Sequence, residues 1–488
     1  MQLLISKKAS LLLFLYFLSA NLLAQDNIPQ DYLSPTFHKG RRAAARALMP
    51  DSSVMVIFAA PTRNFSNDVD YLYHQNPDLY YFTGYKEPNS FLLLFKEDQI
   101  GIDGTSYHEL FFAQKRNAQA EQWTGRRLGS EGVKEKLGIA NTYDGEKFLD
   151  FSLPLNNISK IITAPFAEDV ANSRDAADLF DLIAQFKSKA SINTAAKDPK
   201  LDYRLYREIT GKLREIKTPE ELVLIRKAVE ISCAGQNEVM KAVRPDMSEL
   251  EIQGLHEYVH KKYGAEEVGY GSIVGSGENG CVLHYMENTK TKVGYDLLLM
   301  DVGAEYHGYT ADVTRTIPAD GKFSAEERAI YQIVYDAQEA AFKLLKDGAK
   351  FSDASNAASE VIANGLIKLG IIKDKTEVRK YYPHGLSHHI GLDVHDRSFS
   401  QTLKKGMVIT IEPGIYIPAN SACDKKWWSI AVRIEDDALI REKDYELLSA
   451  FAPRSIEDIE KMIAEKSVLD NFKLAPLPSS MPAKKKSF

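Results

Sequence analysis

Five residues in the C-terminal half of the chain have the side chains and the spacing of a metal site: Asp301, Asp312, His388, Glu412 and Glu435. Four carboxylates that converge on one point repel each other by roughly 4 kcal/mol per pair at about 4 Å in an effective dielectric of about 20, so they require protons or bound cations. Two divalent cations would neutralise the four negative charges. The sequence therefore predicts a dinuclear metal centre.

The first two carboxylates have the spacing of a β-hairpin. Asp301 ends the apolar run at 297–300, Asp312 lies eleven residues further on, and the turn-prone segment 305–308 lies between them. A turn centred between Tyr306 and His307 makes the two acids cross-strand partners, with Cβ atoms about 5 Å apart. The alternative is a surface hairpin with unrelated acids, but the apolar run indicates a buried strand, where an unpaired carboxylate is costly.

The two glutamates follow strand-like runs. The apolar run 408–411 places Glu412 at a strand end, just before Pro413 and Gly414. In the segment 430–435, alternation places Arg433 and Glu435 on the same face. The alternative for that face is a surface ion pair on a half-exposed strand.

Histidines are concentrated in the segment 381–396, which holds four of the eleven in the chain. Beside glycines and a carboxylate they indicate metal ligation or proton transfer, although any one of them, such as His389, could be a bystander. His284 lies in the glycine-rich stretch 271–288, which also suggests a phosphate loop. No lysine followed by serine or threonine completes that motif, so the phosphate-loop interpretation is weak.

Composition excludes several other classes of protein. The 488 residues are 44% hydrophobic and 26% charged, which indicates a globular protein of two or three domains. The formal net charge is −6 and the one basic run is at 484–486, so we expect no nucleic-acid partner. Three cysteines, none in a CxxC pair, exclude a disulfide scaffold, disfavour thiolate zinc and leave at least one free thiol.

The N-terminus resembles an export signal. Lys7 and Lys8 precede the apolar run 11–23, and Ala24 offers a cleavage site, so we predict a signal peptide at 1–24 and a periplasmic or secreted protein. The alternative is a membrane anchor, for which the run is short. No other stretch reaches spanning length, so no stable membrane insertion is expected after cleavage.

The elements that must position these residues fall into two domains. Apolar runs alternate with helical patterns in the first domain, which predicts an α/β fold, and a polar linker follows at 190–200. Three capping patterns predict later helix starts, and helices followed by strands occur twice, which suggests an internal duplication. The capping pairs are Thr218 with Glu221, Ser248 with Glu251, and Ser324 with Glu327. The predicted boundaries are 35–190 for the first domain, 200–465 for the catalytic domain and 466–488 for a C-terminal tail.

Five motifs, in order, closely resemble those of aminopeptidase P, the Xaa-Pro aminopeptidase family: SGENGCVLHY, DVGAEYHGYTADVTR, HGLSHHIGLDVHD, ITIEPGIY and RIEDD. The segments 63–88 and 121–129 resemble that family's N-terminal domain, which methionine aminopeptidases usually lack. The resemblance implies an α+β "pita-bread" catalytic domain, in which two pseudo-symmetric halves hold a metal pair on a curved antiparallel sheet.

The resemblance also implies the role of each metal ligand. Asp301 would chelate one ion, Asp312 and Glu435 would bridge both, and His388 with Glu412 would complete the second. All ligand positions are filled, unlike in creatinase, a relative with the same domains. Mn²⁺ is the expected metal, and such ligands also accept Co²⁺, Zn²⁺ or Fe²⁺.

Catalysis in the family implies that a metal-bound hydroxide attacks the scissile carbonyl. Glu412 would accept the proton of that water. His284, His384 and His395 match positions that bind the substrate, stabilise the tetrahedral intermediate or shuttle protons. Arg433 would help to shape the proline pocket.

The implied function is release of the N-terminal residue from peptides with proline in second position. One alternative is prolidase, which cleaves Xaa-Pro dipeptides and which the HGLSH motif and the export signal disfavour. Another is a non-catalytic binding protein of the same fold. The family suggests a homo-oligomer, dimer or tetramer, with the N-terminal domain contributing contacts. Trp123 is a candidate for the wall of the substrate cleft, with core packing as the alternative.

The chain departs from the family pattern in two places. The segment between His395 and Glu412 is shorter than in many relatives, which bears on specificity. His389 stands where relatives often carry an aromatic residue, so two adjacent histidines compete for the ligand position, and the order of the motif favours His388.

Overall fold

The computed structural model describes residues 29–101, 104–153, 155, 158–173, 175–193, 198–471 and 474. The predicted signal peptide and most of the predicted C-terminal tail lie outside this part of the chain. The described residues from Pro35 onward form one compact unit. Within the described residues, no helix has the length and apolar character needed to cross a membrane.

The N-terminal part is built on a five-stranded mixed sheet with flanking helices, so the predicted α/β fold is confirmed. Its helices are α1 (Pro35–Leu48), α2 (Pro77–Thr83), α3 (Ala118–Thr124), α4 (Gly129–Leu137) and α5 (Leu179–Lys189). Its strands are β1 (Ser53–Phe58), β2 (Asn64–Ser66), β3 (Val69–Asp70), β4 (Phe91–Ile100), β5 (Ser106–Ala113), β6 (Thr142–Asp144) and β7 (Lys160–Thr163). The sheet order is β6-β5-β4-β1-β7, and β2 pairs with β3 in a separate hairpin.

The strand β1 explains why this sheet forms. Its sequence, SVMVIF, is rich in β-branched and apolar side chains, and five of its six residues are buried. It pairs antiparallel with β4 and parallel with β7, so it lies inside the sheet, where a strand covered on both faces must be apolar throughout.

Among its described residues, the C-terminal part has six α-helices: α6 (Tyr203–Arg214), α7 (Pro219–Ala242), α8 (Glu249–Lys262), α9 (Ala325–Phe342), α10 (Phe351–Lys368) and α11 (Ile456–Ile463). Two of the three predicted capping boxes are complete, at Thr218 and at Ser324. At Ser248 only the N-cap half forms, because the Ser248 hydroxyl accepts from the backbone of Glu251. All three helices begin where the sequence predicts.

The strands of this part are antiparallel. They are β8 (Glu267–Val268), β9 (Ile273–Ser276), β10 (Leu297–Val302), β11 (Ala304–Tyr306), β12 (Tyr309–Thr310), β13 (Val313–Pro318), β14 (Val408–Ile411), β15 (Gly414–Ile417), β16 (Ile430–Arg433), β17 (Asp436–Ile440) and β18 (Tyr445–Leu447). The sheets have the orders β13-β10-β9, β12-β11-β8, β14-β17-β18 and β15-β16. A helix pair precedes strands twice, α7 with α8 and then α9 with α10, which is the predicted α+β order. The exact domain boundaries stay predictions.

One buried arginine ties the two parts together. Arg214, at the end of α6, donates from Nη1 to Asp78 Oδ1 at 2.8 Å and from Nη2 to Asp393 Oδ2 at 2.8 Å. It also bonds Asp396, which accepts from Lys217 Nζ at 2.9 Å. Asp78 belongs to α2, and Asp393 and Asp396 belong to the histidine-rich segment. The loop that carries His395 is therefore fixed from both sides.

Candidate metal centre

All nine residues predicted for the site line a single cavity of about 430 Å³ in the C-terminal part. They come from four strands or strand ends and from two loops. They are Asp301, Asp312, His388, Glu412 and Glu435, together with His284, His384, His395 and Arg433.

Asp301 and Asp312 lie in a hairpin, as predicted, but the predicted pairing is wrong. The strands β10 and β13 pair Asp301 with Thr314, so Asp312 lies diagonally from Asp301 on the same face. The turn is centred one residue later than predicted, between His307 and Gly308, which have φ of 51° and 85°. Two-residue hairpin turns favour positive φ at both central positions, and glycine adopts it without strain, which explains the shift.

The two glutamates reach the cavity from neighbouring strands. Glu412 follows β14 directly, and Glu435 follows β16 and precedes β17. Glu435 is buried and accepts from Thr314 Oγ1 at 2.6 Å. Arg433 is also buried, so the alternative of a surface ion pair on this strand is wrong.

His388 lies at the centre of the acidic cluster. Ligand atoms of Asp312, His388 and Glu435 all lie within 4.8 Å of one another. His388 Nε2 is 3.5 Å from Asp312 Oδ2 and 3.5 Å from Glu412 Oε1. Asp301 lines the same cavity outside this group, and it accepts from Arg433 Nη2 at 2.6 Å and from the Tyr270 hydroxyl at 2.5 Å.

The adjacent histidine points elsewhere. The His389 ring is buried and packs against Phe351, with ring centroids 5.2 Å apart. Neither of its ring nitrogens has a hydrogen-bond partner within the described residues. The structure therefore places His388, and not His389, among the carboxylates.

Burial and mutual repulsion perturb these acids strongly. Burial, followed by the charge of Asp301, raises the pKa of Asp312. Burial raises the pKa of Glu412 to about 7, and burial together with the charges of Asp312, Glu412 and Asp301 raises the pKa of Glu435 well above its usual range. Burial by itself would lower the pKa of His388. The hydrogen bond to Asp312 and the charges of Asp312 and Glu412 outweigh burial and raise the pKa of His388 to about 9.

These shifts show that the cluster is short of positive charge. The pKa values of three carboxyl groups are raised, and so is the pKa of the neighbouring imidazole. A divalent cation satisfies the same demand, and carboxylate oxygen with one imidazole is a donor set that binds Mn²⁺, Fe²⁺, Co²⁺ or Zn²⁺. The residues present therefore fit a metal centre.

Three histidines form the substrate side of the cavity. His384 Nε2 is 2.8 Å from the Tyr416 hydroxyl, and its Nδ1 is 3.7 Å from Glu412 Oε2. Burial, and then the charge of Arg433, lowers the pKa of His384 to about 4, so this imidazole is neutral at pH 7. The rings of His395 and His388 have centroids 4.2 Å apart, and His284 lies exposed at the cavity wall.

The glycine-rich stretch that carries His284 is organised by an acid. The buried Glu249 carboxylate accepts from the backbone of Ser276 at 2.8 Å, from the backbone of Lys290 at 2.8 Å and from the Tyr285 hydroxyl at 2.9 Å. A carboxylate at this position would repel a phosphate. The phosphate-loop interpretation is therefore disfavoured by the structure as well.

Three further side chains of the site, Tyr270, Tyr416 and Thr314, were not predicted from the sequence. The Tyr270 hydroxyl donates to Asp301 and Asp312, at 2.5 and 2.6 Å. The Tyr416 hydroxyl accepts from Arg433 Nη1 at 2.9 Å, and Thr314 donates to Glu435. Tyr416 stands inside the ITIEPGIY motif, which was a usable signal. Tyr270 stands thirty-one residues before Asp301, and nothing local connects the two.

Two glutamines connect the ligand strands to the helices behind them. Gln236 Nε2, on α7, donates to the carbonyls of Met300 and Val313 at 3.0 and 2.8 Å. Gln338 Nε2, on α9, donates to the carbonyls of Ile411 and Ile434 at 2.9 and 3.2 Å. Each carbonyl belongs to a residue next to one of the four carboxylates. The two halves of the domain therefore hold their ligand strands in the same way.

Trp123 lies neither in the wall of the substrate cleft nor in the core, the two places predicted for it. It lies on α3 with 87% of its surface exposed, and it does not line the cavity. Neither the cleft interpretation nor core packing is supported for this residue.

Comparison with known families finds two matches along the chain. Residues 223–442 match the model of metallopeptidase family M24, and residues 38–159 match the N-terminal domain of aminopeptidase P.

Comparison with individual proteins agrees with these two family matches. The chain is 35% identical over 450 residues to an Xaa-Pro aminopeptidase of Escherichia coli, covering 88% of this chain and 97% of that protein. It is 34% identical to an Xaa-Pro aminopeptidase of Haemophilus influenzae, covering 87% and 96%. The solved structure of Escherichia coli aminopeptidase P with the inhibitor Pro-Leu superposes with a TM-score of 0.79 at 34% identity, covering 88% of this chain and 98% of that one.

Proposed function

The chain belongs to the Xaa-Pro aminopeptidases of metallopeptidase family M24, and from this premise we propose that it releases the N-terminal residue from peptides whose second residue is proline. The observation that carries the proposal is the meeting of all nine predicted residues in one cavity. Family membership makes the protein a hydrolase that depends on divalent metal ions and acts on peptides.

We propose that two ions are held by Asp301, Asp312, His388, Glu412 and Glu435, and that Mn²⁺ is the physiological metal. The close group around His388 and the raised pKa values of the carboxyl groups support this assignment. The chemistry that such ions supply is the activation of water as a nucleophile and the polarisation of the scissile carbonyl.

Proton movement is assigned to the residues beside the cluster. Glu412 takes the proton of the attacking water. His384 Nδ1 lies 3.7 Å from Glu412 Oε2, so a small movement would bring the two groups within hydrogen-bond distance. Because the Gly385 carbonyl oxygen can only accept, the single N–H of the neutral His384 ring is on Nδ1, 2.7 Å from that oxygen, and a rotation of the ring would redirect it toward the developing oxyanion. His284 and His395 line the remaining wall and bind the substrate.

Arg433 has a more central role than the wall of a proline pocket. Its guanidinium donates to Asp301 and to Tyr416, and its Nε donates to Thr314 Oγ1 at 3.3 Å. We propose that Arg433 fixes the direction of Asp301 and thereby limits the cavity on the side that receives proline.

Two further proposals concern the protein outside its site. The apolar run 11–23, after two lysines, supports export to the periplasm or the medium. The N-terminal domain supports assembly as a dimer or tetramer. The two proposals are tested by detecting the protein in cell fractions and by light scattering of the purified chain.

The proposed function is tested with purified protein, loaded in turn with Mn²⁺, Co²⁺, Zn²⁺ or Fe²⁺, on peptides that differ in their second residue. We expect cleavage of Xaa-Pro-Yaa peptides and loss of activity in Asp301→Ala. Asp320→Ala is the matched control, since Asp320 is exposed just beyond β13. Cleavage of dipeptides alone would indicate a prolidase, and bound metal without any hydrolysis would indicate a binding protein.

A further inference from the structure

Two smaller cavities continue the catalytic cavity toward the N-terminal domain. The first, of about 240 Å³, shares Val394 and His395 with the catalytic cavity. The second, of about 320 Å³, shares His74, Glu305 and Leu392 with the first. The three cavities therefore follow one another along the loop 392–395, and together they form a groove.

The walls of this groove come from both domains. The loop 392–395 is one wall, and it is fixed by the bonds of Asp393 and Asp396 to Arg214. The segment 72–77 of the N-terminal domain is the facing wall. His74 of the segment 72–77 is held by Glu305 of β11, with Nε2 2.9 Å from Oε2, and this pair lines both smaller cavities. A groove with fixed walls needs little ordering when a chain binds, which favours affinity.

The reaction determines which part of a substrate can occupy the groove. An aminopeptidase that removes one residue has a single residue on the N-terminal side of the scissile bond. Any part of the substrate that extends away from the metal centre must therefore lie on the C-terminal side. The groove is accordingly a path for residues after the proline.

The far cavity has an apolar lining with compensated charges. Its apolar surface comes from Leu72, Tyr73, Pro77, Tyr80 and Leu392, and Leu72 is 74% exposed there. Its charged groups already have oppositely charged partners. Lys86 Nζ lies 3.0 Å from Glu266, Lys261 Nζ lies 3.3 Å from Glu267, and His74 pairs with Glu305. The cavity therefore selects an apolar side chain rather than a charge.

We propose that the far cavity binds an apolar side chain located several residues after the proline, so that among long peptides the enzyme prefers those that carry one there. The inference rests on the proposed function and adds a substrate class to it.

The test moves one apolar side chain along the substrate. Heptapeptides that begin Ala-Pro and continue with glycine carry a single phenylalanine at each position from the third to the seventh. We expect kcat/KM to reach a maximum at one position beyond the third, about tenfold above the all-glycine peptide, as burial of one large apolar side chain predicts.

A variant links this maximum to the cavity. Leu72→Asp places a charge on the apolar wall at an exposed position that tolerates substitution, and we expect the preference for the phenylalanine peptide over the all-glycine peptide to be mostly lost. Val69→Asp is the matched control, because Val69, on β3 just before that segment, is 53% exposed and lines neither cavity. That control keeps the preference.

The outcomes separate the two proposals. If Ala-Pro-Gly is cleaved but the phenylalanine profile is flat, the proposed role of the groove is wrong and the proposed function stands. The same conclusion follows if Leu72→Asp leaves the maximum intact. If no peptide with proline in second position is cleaved in any metal, the proposed function fails and the groove fails with it.

Discussion

At the scale of single residues, the site depends on side chains that hold the carboxylates in place. The Tyr270 hydroxyl oxygen lies 2.5 Å from Asp301 Oδ1 and 2.6 Å from Asp312 Oδ1, so its one proton is shared between two acids. Burial, and then the charges of Asp301 and Asp312, raises the pKa of Tyr270 well above its usual range, so it stays a donor. Groups that orient metal ligands in this way contribute to metal affinity as well as to geometry.

Tyr270→Phe should therefore weaken metal binding by about 10- to 100-fold while the fold persists, since only a hydroxyl is removed. The affinity for metal is measured by calorimetric titration of each protein with the metal ion. Tyr295→Phe is the control, because Tyr295 is 76% exposed. Equal metal affinity in the wild type and Tyr270→Phe would contradict the assigned role.

A pair of buried histidines on α8 lies apart from the catalytic chemistry. His256 and His260 are fully buried, and three of their four ring nitrogens have no partner within the described residues. The fourth, His256 Nε2, lies 3.4 Å from Met300 Sδ. Burial lowers the pKa of His260 to about 4, and burial with the charge of His260 lowers the pKa of His256 further below its usual range.

These shifts predict acid sensitivity of the fold. Both imidazoles are neutral when folded, whereas the unfolded chain binds their protons below about pH 6.5. The free energy of unfolding is therefore unaffected above pH 6.5 and falls as the pH decreases toward 4, by about 3 kcal/mol for His260 alone.

Urea unfolding at pH 7 and pH 4.5 tests this prediction. The double variant His256→Leu with His260→Leu should lose less stability between the two pH values than the wild type does. His108→Gln, with a side chain 44% exposed, should behave as the wild type. An unchanged pH dependence in the double variant would exclude the pair as its source.

At the scale of elements, each helix pair stabilises the hairpin or strand pair in front of it. Gln236 and Gln338 occupy equivalent places in the two halves, and each donates to two carbonyls beside the metal ligands. Buried carbonyls that lose their donors are costly, typically by about 1–3 kcal/mol. The helices thereby control the spacing of the ligand strands.

Gln338→Leu should lower the free energy of unfolding by about 1–3 kcal/mol and also weaken metal binding, because the carbonyls of Ile411 and Ile434 lose their donor. Urea unfolding and metal titration measure the two effects. Gln332→Leu, on the same helix but exposed, should change neither. Loss of stability with full metal affinity would show that Gln338 has no influence on the site.

At the scale of the whole molecule, Arg214 joins the N-terminal domain to the loop that carries His395. Its charge is fully buried among Asp78, Asp393 and Asp396. Removal of one partner from a buried ion cluster leaves charges without compensation, which costs more than the cluster itself contributes. The domains should therefore unfold together in the wild type.

Arg214→Leu should lower the free energy of unfolding by about 3 kcal/mol and separate the unfolding of the two domains. Calorimetry should show one transition in the wild type and two in the variant. Arg328→Leu removes an ion pair from a side chain that is 42% exposed, and should cost less than about 1 kcal/mol. A single transition in Arg214→Leu would place the domain coupling elsewhere.

The fold class and the cluster were predictable because their signals are local. Strand alternation places Arg433 and Glu435 on one face regardless of neighbours, and the capping residues Thr218 and Ser324 begin helices through contacts within four residues. The hairpin of Asp301 was predicted, but its register was not. The one-residue shift depends on which two residues take positive φ, and Gly308 decides that.

The sequence by itself determined which residue types could bind metal and that they lie on strand ends and in a histidine-rich loop. Only the tertiary structure decided that His388 faces the acids while His389 packs on Phe351. It also decided that Tyr270 bridges two carboxylates, and that a groove leads to Leu72. These features depend on contacts between segments far apart in the chain, which local periodicity does not encode.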